Sequence, residues 1–241
     1  MSIFRFKRFE IRNELSPMKV NTDGVLLGAA VSIRKDMKTV VDIGTGTGTV
    51  ALMVAQRLSD AGAMDFSILG IDIDAPSAEE ASENFAASPW GNNMKAEHAA
   101  LSDLERRDSR FDLIVSNPPY FDKSLNNPDG RKNTARHTSE GGLSYRSLVV
   151  YASEKLTENG LLSIILPSSE RMALLRYAAS FGLYPSKILS IRTTEKKEPS
   201  RIIAEFSRKR VECSEEQLTI YSEGAASEEY RSLTKYFYIN Q

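Results

Sequence analysis

The chain has 241 residues, 41% of them hydrophobic and 26% charged, with a formal net charge of -1. That length supplies the core of one large or one-and-a-half small domains, while a single cysteine, Cys213, excludes an intrachain disulfide and, with only two histidines, leaves too few ligands for a zinc cluster. No stretch approaches the ~20 apolar residues of a membrane span, and the N-terminus lacks the basic-then-apolar pattern of a secretory signal, so a metal-free cytoplasmic protein is expected.

Residues 3–12 read as a strand or short hairpin in which Phe4-Arg5-Phe6-Lys7-Arg8-Phe9 interleaves aromatics with cations. Two readings stay open there: a surface for single-stranded nucleic acid, or an amphipathic strand with Phe inward and Arg and Lys solvated. A helix follows, from Thr22 as N-cap to about Ile33. Strands near 39–43, 67–72, 94–99, 111–116 and 161–166 then alternate with helices near 48–59, 75–87, 144–158 and 169–181. Further strands fall near 186–193 and 201–207. Such alternation is that of a doubly wound α/β sheet, mostly parallel. A strand at 217–222 and a helix at 227–237 end the chain. This divides it into an N-terminal extension (1–38) packed on the core, a core domain (39–210) and a strand–helix appendage (211–241). The long polar loop 122–143 has the length of a lid or binding segment.

Charge is segregated. Residues 1–38 carry eight basic and four acidic side chains, and residues 186–210 carry eight and three. Residues 60–112 carry four basic against twelve acidic, and residues 211–241 two against six. A polyanionic partner is therefore compatible with a net charge near zero.

Two motifs carry the chemistry. The β-branched run Thr39-Val40-Val41-Asp42-Ile43 enters Gly44-Thr45-Gly46-Thr47-Gly48 and then a helical pattern. Strand, glycine turn, helix is the opening unit of a nucleotide-binding fold, in which glycines let backbone approach the ligand and a helix N-terminus faces it. A second strand ends at Asp72, an acid able to bind a ribose diol. The third glycine falls one residue early for a dinucleotide fingerprint, and no Lys-Ser or Lys-Thr follows, which argues against a phosphate-cradling loop.

The other motif is Asn117-Pro118-Pro119-Tyr120, directly after the apolar run Phe111–Ser116. Two prolines remove two backbone donors and fix φ, so the strand ends in a stiff extended turn. It presents an amide side chain, free carbonyls and a phenol ring, which suits a planar amine. A strand-terminating turn with a buried tyrosine is the alternative.

The series Asp42, Gly44, Gly46, Gly48 resembles motif I of the class I S-adenosylmethionine-dependent methyltransferases. That resemblance implies S-adenosylmethionine as cofactor, a loop running past its methionine moiety, Asp72 on its ribose, and a seven-stranded sheet whose last strand is antiparallel. Asn117–Tyr120 resembles the motif of methyltransferases acting on planar nitrogen: adenine N6, guanine N2 or a glutamine amide. Together with Met18–Ala29, Asn84–Trp90, Ser116–Phe121 and Ala135-Arg136-His137, it looks like the bacterial tRNA (adenine-N6) methyltransferase family, which modifies adenine-37, 3′ of the anticodon, in a valine tRNA. Ala30 departs from that pattern, where Trp is expected after Gly-Ala, a difference of local packing rather than chemistry.

By this resemblance Asn117 and Pro118 would accept hydrogen bonds from the target amine, with Pro119 stiffening the turn and Tyr120 stacking on the base. Lys19, Asn21 and Thr22 would line the methionine end of the cofactor, and Asp103 would approach its adenine. Arg5, Lys7, Arg8, Arg131, Lys132, Arg136 and His137 are the candidate RNA contacts, with proton acceptance a second role for His137. A protein glutamine N5-methyltransferase and a guanine-N2 RNA methyltransferase remain alternatives, as does, from another class, a cofactor-binding RNA chaperone without catalysis. Oligomeric state is not legible; a monomer is the expectation.

Overall fold

A short antiparallel pair opens the chain, β1 (Ile3–Arg5) with β2 (Glu10–Arg12), and leads to helix α1 (Thr22–Ala30). The computed structural model describes residues 2–119 and 143–239. Tyr120, Arg131, Lys132, Arg136, His137 and nearly all of the loop expected over 122–143 lie outside the described residues.

Helix α1 corrects two expectations. Its N-cap is Asn21, whose side-chain oxygen accepts from the Gly24 N–H at 2.9 Å, and Thr22 is the first helical residue. The helix stops at Ala30, short of Ile33, because Val31 turns extended (φ -55°, ψ 138°). The Val31 carbonyl is then taken by the Arg57 guanidinium.

The alternating core follows as β3 (Thr39–Ile43), α2 (Thr49–Asp60), β4 (Ser67–Asp72), α3 (Ala75–Ala86), β5 (Met94–His98), α4 (Leu101–Glu105), β6 (Phe111–Ser116), α5 (Tyr145–Lys155), β7 (Leu156–Pro167), α6 (Arg171–Ser180), β8 (Tyr184–Thr194) and β9 (Arg201–Ser207). The last elements are β10 (Ser214–Ser222), β11 (Ala225–Ala226) and α7 (Glu228–Thr234). Among the described residues the main sheet has nine strands in the order β11-β10-β8-β9-β7-β6-β3-β4-β5, not the expected seven. The seven are β3 to β9, with β9 antiparallel between β7 and β8. The extra two arise because β10 pairs in parallel along the free edge of β8 and then turns back as β11. An unpaired edge is a row of unsatisfied backbone groups, and β10 covers it.

Alternation along the strands fills two cores. Val40 and Leu113 face a cluster built with Leu26, Leu52, Met53, Phe85 and Phe237, under α1, α2 and α3. Val41 and Ile114 face the opposite cluster, with Leu148, Tyr151, Leu162 and Leu174, under α5 and α6. The aromatics of the opening segment belong to the first core. Phe6 is 3% and Phe9 5% exposed, and their rings lie 4.7 Å apart with Tyr238 stacked on Phe6. Of the two readings of that segment, Phe inward describes this arrangement.

Candidate active site

The loops after the parallel strands meet at one edge of the sheet, where ligands of doubly wound folds bind. The Gly44 and Thr45 N–H groups both donate to the Ile71 carbonyl at 2.9 Å, which pins the glycine loop to the end of β4. Gly44, Gly46 and Gly48 have φ of 73°, 56° and 81°, conformations that side chains rarely adopt. Gly48 is also the N-cap of α2, and a Cβ there would drive into the Phe85 ring. The turn can therefore close tightly and aim the N-terminus of α2, where Thr49 and Val50 line the cleft, at a ligand.

Two carboxylates flank the loop. Asp42 is 1% exposed, and its Oδ2 accepts from the Thr45 hydroxyl at 2.8 Å. Burial pushes its carboxyl up to about 7; hydrogen bonds from Thr45 and from the Ala51 N–H pull the other way, and nearby Asp72 raises it further. Asp72, at the end of β4, accepts from the Gly46 N–H through Oδ2 and from the Asp74 N–H through Oδ1, each at 2.9 Å. Burial raises its carboxyl too, against the lowering effect of those two bonds.

Strand β6 brings the second motif alongside. Asp42 pairs with Val115 in the ladder, and the Ser116 hydroxyl donates to the Ile43 carbonyl at 2.7 Å. Asn117 therefore leaves the sheet beside Gly44, half-buried, with Pro118 buried behind it. The cleft is closed on the other side by the segment before α1. Met18, Lys19, Asn21 and Gly24 line it together with Asp42, Gly44, Thr45, Gly46, Thr47, Thr49, Val50 and Asn117.

That segment is held by one face of α3. The carboxylate of Glu80, 1% exposed, accepts from the backbone N–H groups of Glu14, Leu15 and Ser16, the last two at 2.8 and 2.9 Å. Asn84 accepts from the Arg12 N–H at 2.8 Å and donates to the Arg12 and Thr47 carbonyls at 3.0 and 2.9 Å. Ser77 donates to the Ser16 hydroxyl at 3.0 Å. Glu80 and Asn84 bind backbone of the N-terminal segment and of the glycine loop to one rigid helix, and Ser77 adds a hydroxyl contact to Ser16. The sequence reading did not find them as site residues; their i, i+3, i+7 spacing on the inner face of an amphipathic helix was the available signal.

Of the residues singled out in the sequence, Lys19, Asn21, Asp42, Gly44, Gly46 and Asn117 come together in the cleft. Asp72 reaches it through Gly46, and behind stand Gly48, the N-cap of α2, and Thr22, the first residue of α1. Lys19 Nζ donates to the Glu14 carbonyl at 2.8 Å. Asp103 is in α4, where its Oδ2 accepts from the Ala100 N–H at 2.9 Å as part of the helix cap. The cations of the opening segment lie elsewhere. Arg5 pairs with Glu10 at 2.8 Å, and Lys7 donates to the Lys235 carbonyl at 2.6 Å. Arg8 pairs with Asp60, with its guanidinium 5.2 Å over Trp90. Asp60 ends α2, roughly 18 Å along the helix from the glycine loop at 1.5 Å per residue. Among the described residues no group of three or more His, Cys, Asp or Glu could hold a metal ion, and no helix is long and apolar enough to cross a membrane.

A doubly wound sheet with antiparallel β9 between β7 and β8, a glycine loop between Asp42 and Asp72, and an Asn-Pro-Pro turn at the neighbouring strand define a class I S-adenosylmethionine-dependent methyltransferase. Residues 40–142 match the family described as Methyltransferase domain. A predicted O-methyltransferase of Agrobacterium tumefaciens shares the fold with a TM-score of 0.62 at 17% identity, over 89% of this chain and 96% of that one. A tRNA1(Val) (adenine(37)-N6)-methyltransferase of Bacteroides fragilis is 39% identical over 98% of this chain and 97% of its own length. The protein of the same name from Phocaeicola vulgatus is 40% identical over 98% and 97%. The chain belongs to the tRNA1(Val) (adenine(37)-N6)-methyltransferase family.

Proposed function

We propose that this protein methylates the exocyclic N6 of adenine-37, beside the anticodon of a valine tRNA, with S-adenosylmethionine as donor, in the cytoplasm and as a monomer. The observation that carries the reading is that Asn117 opens onto the same cleft as the glycine loop and Asp42.

The cleft fits the cofactor's chemistry. Asp42 offers a buried carboxylate whose raised pKa a cationic ligand would relieve. Gly46 has no Cβ where the loop faces Met18, whose carbonyl lies 3.7 Å from the position a Cβ would take. Asp72 is already oriented by two backbone donors and has acceptor capacity left for a diol. When bound, S-adenosylmethionine supplies an electrophilic methyl group on a sulfonium. Asp42, the glycine loop and the α2 N-terminus would bind and orient it, with Asp72 on the ribose and Lys19 and Asn21 along the methionine end.

The remaining work falls on the Asn-Pro-Pro turn. An exocyclic adenine nitrogen has its lone pair delocalised into the ring and is a poor nucleophile. The Asn117 side-chain oxygen and the Pro118 carbonyl would accept its two N–H bonds, favour a pyramidal nitrogen and stabilise the positive charge developing there. The prolines keep those acceptors from relaxing, so that holding the amine in line can contribute roughly 7–11 kcal/mol. Tyr120 would stack on the base, and an anticodon-loop adenine needs no extraction from a duplex.

The test is to incubate the protein with labelled S-adenosylmethionine and, separately, unmodified valine tRNA, other tRNAs, ribosomal RNA and release factors. Digestion should place the label on N6 of adenine-37 of the valine tRNA alone. Label on guanine, or on a glutamine of a release factor, would replace this reading with one of its alternatives. Binding of tRNA without transfer to any substrate would leave the chaperone.

A further inference from the structure

We propose that Tyr145, Arg146 and Tyr177 form a platform that holds an unpaired nucleotide of the RNA substrate next to the one being modified. The inference rests on the RNA-methyltransferase reading above and assigns that site a surface that none of its motifs contains.

The three residues make one arrangement. The Arg146 guanidinium lies 5.7 Å over the Tyr145 ring and 5.0 Å over the Tyr177 ring, and the two rings meet edge to face with centroids 6.3 Å apart. Tyr177 continues to Phe181, 5.0 Å away and 39% exposed. Arg146 is exposed, and among the described residues its guanidinium meets these two rings and no carboxylate. Three other arginines are instead paired with carboxylates: Arg107 with Glu97, Arg171 with Glu215 and Arg201 with Asp23. The inner face of α5 is made by Leu148, Val149, Tyr151 and Ala152; Tyr145 and Tyr177 are half-buried and rest on the edge of that core, while Arg146 is exposed beside them.

Position argues for the site. The Leu143 side chain lies 2.9 Å from where a Cβ of Gly44 would be, which sets Leu143 against the glycine loop. Two residues span at most roughly 7 Å, so Tyr145, the first residue of α5, flanks the cleft. Aromatic faces with a cation held over them take a base by stacking and a phosphate by charge, whatever the base, provided that it is unpaired. Nucleotides beside a loop adenine meet that condition, and a duplex does not.

The experiment uses the full chain and an anticodon stem–loop RNA, with Tyr145→Leu, Arg146→Gln and the double variant. Each single variant should raise the stem–loop Kd and KM about tenfold, and Arg146→Gln should also flatten the salt dependence of RNA binding by about one phosphate contact. Cofactor Kd should stay at the wild-type value in every variant, and Arg146→Gln, whose side chain is exposed, should also keep the wild-type thermal midpoint, which a merely structural role would not allow. Unchanged stem–loop affinity in the double variant, with wild-type protein still methylating the RNA, overturns the platform and leaves the reaction standing. Weakened RNA binding in the variants, with no transfer to RNA by wild-type protein, upholds the platform and overturns the proposed reaction. Wild-type protein that labels a release factor and ignores the RNA overturns both.

Discussion

The Asn117 amide and the Asp42 carboxylate share one cleft, and they should fail differently when altered. Asn117 would act mainly as the acceptor nitrogen gains charge, so Asn117→Ala should lower kcat about 100-fold or more while cofactor affinity changes little. Single-turnover kinetics at saturating cofactor read this directly, and near-wild-type rates would remove the motif from the mechanism. Asp42 instead couples the site to pH. Its folded pKa of about 7 lies above the ordinary aspartate value of roughly 3.9, so the folded chain keeps a proton that the unfolded chain has shed. Its contribution to stability is greatest below pH ~4 and is lost as pH rises to ~7, by about 4 kcal/mol in all, flat beyond. Asp42→Asn should remove that slope, so the difference between variant and wild type in urea titrations should move in the variant's favour across this window. A cation bound beside Asp42 lowers its pKa, so wild-type affinity for S-adenosylmethionine should rise with pH up to ~7 and then level. Calorimetry in two buffers of different ionisation enthalpy should register proton release near pH 6, and a flat affinity profile in the wild type would take Asp42 out of the cofactor's surroundings.

Helix α3 carries the part of the site that was hardest to read. The glycine loop and the Asn-Pro-Pro turn were legible because each is a local event: three positive-φ glycines and two prolines dictate backbone within a few residues. Glu80 was not, because the groups it serves are backbone N–H donors 64 to 66 residues away, and a Glu-Glu pair in a helix reads as a solvated face. The same limit moved the start of α1, where Asn21 and Thr22 are both good caps and only the Asn21–Gly24 bond decides. Removing Glu80 should expose its function. Glu80→Ala removes the acceptor of three backbone donors, of which Ser16 is buried while Glu14 and Leu15 can turn to water, and at roughly 1–3 kcal/mol for the buried unsatisfied group should destabilise the fold by about 2 kcal/mol. Glu80→Gln keeps one acceptor oxygen and should lose less. Because Met18 and Lys19 follow directly on this clamp, Glu80→Ala should also weaken cofactor binding at temperatures where the chain is still folded. Denaturant melts with cofactor titrations on the same samples separate the two effects, and a stability loss below 1 kcal/mol would mean that the segment is held by something else.

Both ends of the chain are built into one core, and this only pairing in space could reveal. A strand near 217–222 is visible in the sequence, but a parallel partner is joined through a distant crossover, and nothing local names β8 as its neighbour. In the fold, residues from Ser214 to Tyr221 pair with β8 from Lys187 to Thr194. The segment after α7 reaches the opening pair: the Lys7 N–H donates to the Phe237 carbonyl at 2.7 Å, Phe6 bridges to Tyr238, and Gln56 donates to the Tyr236 carbonyl at 3.0 Å. Leu218, Ile220, Tyr230 and Phe237 are all buried in the same cluster as Leu26 and Leu52. Ending the chain at residue 210 would remove those four side chains, each worth roughly 1.5–3 kcal/mol when fully buried, a loss on the order of 6 kcal/mol or more. It would also strip the Tyr238 ring from Phe6 and leave the long edge of β8 unpaired, a template for intermolecular pairing. The shortened chain should therefore melt at least ~12 °C lower, at about 2–4 °C per kcal/mol for a chain of this size, and elute as aggregate where the full chain does not. An independent appendage behaves otherwise, since its removal leaves the melting temperature of the core in place. Calorimetry and size-exclusion chromatography of the two chains side by side decide the matter, and an unshifted monomeric core would show that residues 1–210 fold without the strand–helix segment that follows.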